Sequence, residues 1–101
     1  MNDEQKNTIY TLILLQPGLR KRNVLPEDKE YIMTMIDSAV EDIKDEGIIL
    51  DFNSPSHRTT IAMYASYLYR KQTAENKESP MPRMLRYRLN NLIFKRVRNN
   101  A

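Results

Sequence analysis

The sequence predicts an all-α fold, a small bundle of about four helices with a polar loop before the last. Three observations lead there. The only glycines, Gly18 and Gly47, and the prolines Pro17, Pro26, Pro55, Pro80 and Pro82 fall between periodic segments rather than inside them. Within those segments apolar residues recur at three- and four-residue spacing. No stretch alternates for long enough to read as a strand.

One hundred and one residues make a single domain: residues 1–25 hold an N-terminal helix and a basic connector, and residues 26–98 hold the helical core. The first helix is expected over about 3–15. Asn2 and Gln5 have capping-box spacing, Ile9, Leu12 and Ile13 share a face, and Pro17-Gly18 ends the run. Arg20-Lys21-Arg22 follows as a basic connector.

The second helix is expected over about 26–46. Pro26 suits its first turn, where Glu27, Asp28 and Glu30 complement the helix dipole. Ile32, Ile36, Ala39, Val40 and Ile43 form one apolar stripe, with Glu30, Asp37, Glu41 and Asp45 on the opposite side. Gly47 is placed for a left-handed stop. The link 48–54 is too short to read as a strand.

Ser54-Pro55 opens a third helix over about 55–72, with Ile61, Tyr64, Ala65 and Leu68 on one side and Met63 and Tyr67 on another. A helix apolar on several sides belongs at the centre. Ala62 and Ser66, one turn apart, permit close approach. After the polar loop Thr73–Ser79, Ser79-Pro80 reads as the start of a fourth helix over about 81–98. It has a core stripe, Leu85/Leu89/Leu92, and a second row, Met84/Tyr87/Asn91/Phe94. Residue types in that second row favour interfaces. A packed four-helix core and a protein–protein contact both account for it.

Charge is segregated along the chain. Residues 26–51 hold nine acids against Lys29 and Lys44, a net −7, while residues 1–25 carry +2 and residues 52–101 carry +8. No acid follows Glu78, and Arg83, Arg86, Arg88, Lys95, Arg96 and Arg98 make the last helix basic. Opposed poles on one short chain favour assembly through complementary potentials.

Other chemistry has little to stand on. There is no cysteine, so disulfides and thiolate metal sites are excluded. His57 is the only histidine. Ser54, Ser56 and Asp51 are near it in sequence, but a triad needs groups converging from separate elements, so His57 reads as an exposed residue of a first helical turn. Asp37/Glu41 and Glu41/Asp45 have i, i+4 spacing without a matching histidine and read as a solvated face, with no metal expected. No phosphate loop and no cofactor site is present. The longest apolar runs fall well short of a bilayer span, and the polar Met1-Asn2-Asp3-Glu4 start is unlike a signal peptide. A soluble, non-exported chain with no membrane partner is the expectation.

Nucleic acid is the rival partner, because the basic last helix carries Tyr87 and Phe94. A helix-turn-helix joins its helices by a turn of about 3–4 residues. The stretch from Gly47 to Ser54 is longer, and the helix after it is apolar where a recognition helix presents polar side chains.

The order of features resembles the small head–tail connector (adaptor) proteins of long-tailed bacteriophages. The likeness is carried by the acidic helix Tyr31-Ile32-Met33-Thr34-Met35-Ile36-Asp37-Ser38-Ala39-Val40-Glu41-Asp42-Ile43 closing on Gly47, and by the Pro55-led helix ending Tyr67-Leu68-Tyr69-Arg70-Lys71. A variable polar loop and a Pro-led terminal helix, Met81-Pro82-Arg83-Met84-Leu85, complete it. It spans about residues 26–98, and the first helix more loosely. Arg20-Lys21-Arg22 departs from the pattern, so no N-terminal contact is carried over.

The resemblance implies a non-enzymatic virion protein at the head–tail junction, made in the host cytoplasm. It implies a ring of copies following the portal's roughly twelve-fold symmetry, bound to the portal and to the next neck or tail protein, with DNA passing only transiently. Glu30, Asp37, Glu41 and Asp45 would line the channel or meet a neighbouring subunit. Arg83, Met84, Tyr87, Arg88, Phe94, Lys95 and Arg98 would form the partner-contact helix. The alternative is a small basic helical DNA-binding regulator, and a third reading is a protein adaptor that forms no ring.

Overall fold

The protein is described from a computed structural model that covers residues 1–16, 28–73 and 80–100, without the side chains of 72–73 and 96–100. The described residues form four helices and no strand: α1 (Asp3–Leu14), α2 (Asp28–Asp45), α3 (Pro55–Thr73) and α4 (Arg83–Asn100). The expected Pro17-Gly18 stop, the 20–22 connector, the Pro26 start and the loop over 74–79 lie outside the described residues.

Each helix is delimited by local chemistry. At α1 the Asn2 side-chain oxygen accepts from the Gln5 N–H at 2.8 Å, and Gln5 Oε1 accepts from the Asn2 N–H at 3.0 Å, so the capping box is present. Beyond α2, Gly47 has φ 89°, a left-handed conformation costly for residues with a Cβ. At α3 the Ser54 carbonyl accepts from Arg58 N–H at 3.0 Å.

The fourth helix starts later than Ser79-Pro80 suggested. The Pro82 carbonyl accepts from Arg86 N–H at 3.1 Å, which places Pro82 at the cap and Arg83 first in the helix. The Pro82 ring biases residue 81 away from helical angles, so the helix cannot begin before it. The other ends fall within about two residues of expectation, the ordinary fraying of termini.

α3 is the centre. It packs against α1, α2 and α4, α1 also touches α2, and α4 leans mainly on α3. Ile9 and Ile13 of α1 join Ile32, Met35, Ile36, Ala39 and Ile43 of α2 in the core. From α3 come Ile61, Ala62, Tyr64, Ala65 and Tyr69, and from α4 Leu85, Leu89 and Leu92. Val40 and Leu68, expected in the stripes, are half-buried at its edge. The shape is a slab, 46 × 32 × 20 Å. A thickness of 20 Å is about two helix diameters. Peripheral helices in so thin a body keep one face outward.

Candidate functional site

At about 100° per residue, Tyr87 and Phe94 lie about 180° around α4 from the Leu85/Leu89/Leu92 stripe. The structure agrees with that geometry. The leucines are buried, whereas Met84 is 62% exposed, Tyr87 64% and Phe94 77%, and Asn91 between them is exposed too. α4 therefore carries apolar residues on both sides, and among the described residues it is the inner side that is buried. Large apolar residues are thus held out to solvent in a row interrupted by Asn91, the kind of surface that contact sites use.

Cations frame this row. Arg83 and Lys95 are exposed, Arg88 is half-buried, and the side chain of Arg98 lies outside the described residues. Arg86 is engaged internally: its guanidinium meets Glu46 Oε1 at 2.8 Å, and its Nε donates to Asn90 Oδ1 at 3.2 Å. Met84, Tyr87, Arg88 and Lys95 also face Ser56 and Thr60 of α3 across a shallow open groove. Sequence reasoning did not foresee this groove, because it depends on how α4 sits against the first turns of α3.

The acidic residues of α2 behave as a face, with one exception. Glu30, Asp37, Glu41 and Asp45 are all exposed, opposite the buried isoleucines. Asp37, however, is paired with Lys6 of α1 at 3.0 Å. Lys29 lies 5.3 Å from the centre of the Tyr10 ring, a second tie between α2 and α1. Glu30, Glu41 and Asp45 form no ion pair among the described residues. Two large apolar residues near them in sequence are also exposed: Tyr31 at 38%, with its ring against Tyr69, and Ile49 at 70%, beyond the Gly47 turn.

Two acids of the same segment turn inward. Asp42 is hydrogen-bonded to the Tyr64 hydroxyl, and Glu46 holds Arg86. Burial, then the negative charges of Asp42 and Glu46, push the Tyr64 hydroxyl up to about 12. No sequence signal marks these two acids as different from Glu41 and Asp45 except their angular position near the apolar stripe.

His57 differs from its expected exposure. It is half-buried, and its Nδ1 accepts from the Asp51 N–H at 2.9 Å, which ties the 51–54 turn to the start of α3. Among the described residues no three acidic or histidine side chains converge, and no helix is long and apolar enough to cross a membrane. What the α4 surface offers chemically is burial of aromatic area within a ring of cations. Comparison with protein-family models, with curated proteins and with solved structures gives no match to this chain.

Proposed function

We propose that the chain is a structural protein of a bacteriophage neck, a helical subunit of a ring that joins the portal at the capsid vertex to the next neck or tail component. The observation that carries this reading is the outward apolar row of α4, Met84/Tyr87/Phe94, on a molecule whose α2 is acidic and whose α4 is basic. A subunit of a cyclic assembly needs two different faces that fit each other. The order of elements, with an acidic helix stopped by glycine and a Pro-led terminal helix, supports the connector resemblance.

The role is mechanical and non-catalytic: the ring follows the portal's roughly twelve-fold symmetry, and DNA passes through without being retained. The protein belongs to the virion and waits in the host cytoplasm until the portal vertex is ready.

Electron microscopy of the chain mixed with its cognate portal tests this. The expected result is ring density added to one end of the portal, together with detection of the chain in purified particles by mass spectrometry. A bare portal and particles lacking the chain would contradict the proposal. Exposed Arg83 and Lys95 around Tyr87 favour a second reading, a DNA-binding regulator. A gel shift on duplex DNA that survives non-specific competitor would establish that reading instead.

A further inference from the structure

We infer that the outward face of α4 docks on the outward acidic face of α2 in a second copy of the chain. The inference rests on the ring reading above and names its contact.

The sign of charge selects the occupant. α4 bears six cations and no acid. Two α4 helices packed symmetrically would bring like charges together, which disfavours a two-fold contact through this helix. The occupant must combine apolar surface with acids, and this molecule presents such a surface. Glu30, Glu41 and Asp45 are exposed and free of ion pairs among the described residues, and Tyr31, next to Glu30 in the helix, keeps 38% of its surface exposed with its ring against Tyr69.

The dimensions also agree. From Glu30 to Asp45 the rise along α2 is about 22 Å, and from Arg83 to Lys95 along α4 about 18 Å. Both helices pack on α3 by their inner stripes, which leaves their acidic and basic faces exposed, the α4 face with one edge along the groove beside Ser56 and Thr60. One subunit cannot bring its own two faces together without unpacking. The contact is therefore between molecules and heterologous, and it leaves one copy with a free acidic face and the other with a free basic face, so further copies can add at both ends. A nucleic-acid partner would use the basic pole and leave the acidic pole and the exposed Ile49 without a role.

A charge exchange tests the contact. One variant carries Arg83→Glu with Lys95→Glu, the other Glu41→Lys with Asp45→Lys. All four positions are exposed. The changes at 83 and 45 also suit the helix dipole, so folding is retained and is checked by circular dichroism.

Sedimentation velocity then follows the wild type, each variant and their equimolar mixture over a range of concentration at low salt. The expected result is self-association of the wild type, weakening by more than about tenfold in each variant alone, and recovery in the mixture. Recovery is specific, because mixing restores an acid-to-base match at both kinds of junction.

A wild type that stays monomeric throughout would overturn the inference. So would variants that associate like the wild type, or a mixture no better than its parts. Loss of single- or double-stranded DNA retention in the Arg83→Glu/Lys95→Glu variant, with self-association intact, would assign the face to nucleic acid. The outcome is separable from the neck proposal. Homotypic association without the chain in particles sinks the neck role alone, and a particle-bound chain that never self-docks sinks this contact alone.

Discussion

Ser66 and Tyr64 show how single residues set the stability of α3. Ser66 is buried and its hydroxyl has no hydrogen-bond partner among the described residues. An unmatched buried hydroxyl is costly, and alanine is the better helix former. Ser66→Ala is expected to raise unfolding free energy by about 0.5–1.5 kcal/mol, measured by urea denaturation. Unchanged or lower stability would mean that the hydroxyl is satisfied in solution. Tyr64 gives a pH signature. Its folded pKa of about 12 lies above the ordinary 10.0, so the folded state holds the proton more tightly. The contribution is complete below pH 10 and disappears as the pH rises from 10 to 12. Lysines titrate nearby, so the readout is the difference between wild type and Tyr64→Phe, which should shrink across that window.

At the scale of the element, α4 carries one buried and one exposed apolar face. Leu89→Ala removes buried volume and is expected to cost about 2–5 kcal/mol. Tyr87→Ala and Phe94→Ala remove exposed side chains and should change monomer stability by less than about 0.5 kcal/mol while weakening assembly. Thermal melts read the first quantity and sedimentation the second. A Phe94→Ala melt resembling that of Leu89→Ala would assign the outer row to the core. The α2 stop gives a control: Gly47→Ala should cost about 1 kcal/mol, because φ 89° excludes an ordinary side chain.

These contrasts also show what the sequence made legible. The leucine stripe of α4, the isoleucine stripe of α2, the Asn2 cap and the Gly47 stop are all local patterns, and local patterns are encoded at fixed spacing. The two-sidedness of α4 was visible, but its meaning was not. Whether Tyr87 and Phe94 met a neighbour within the subunit depended on whether another helix covered α4, a long-range fact without a periodic signature. The bridges Lys6–Asp37 and Arg86–Glu46 join residues far apart in sequence and were likewise beyond reach.

The whole molecule is a thin slab in which two of the three helices around α3, namely α2 and α4, are opposite in sign. The Lys6–Asp37 pair bears on how its acidic face is probed. Asp37→Lys with Glu41→Lys should leave helicity intact and impair assembly, but the first change also breaks a tie between α1 and α2. That surface pair is half-open to solvent and worth at most about 1 kcal/mol. Glu41 and Asp45 isolate the face more cleanly. If complementary poles drive the assembly, salt must weaken it, since the Debye length falls from about 10 Å at 0.1 M to about 3 Å at 1 M. The most direct measurement is sedimentation equilibrium of the unaltered chain across that salt range. The expected result is a mass that rises with protein concentration at low salt and returns toward the single subunit at high salt. A mass fixed at one subunit under both conditions would contradict the account.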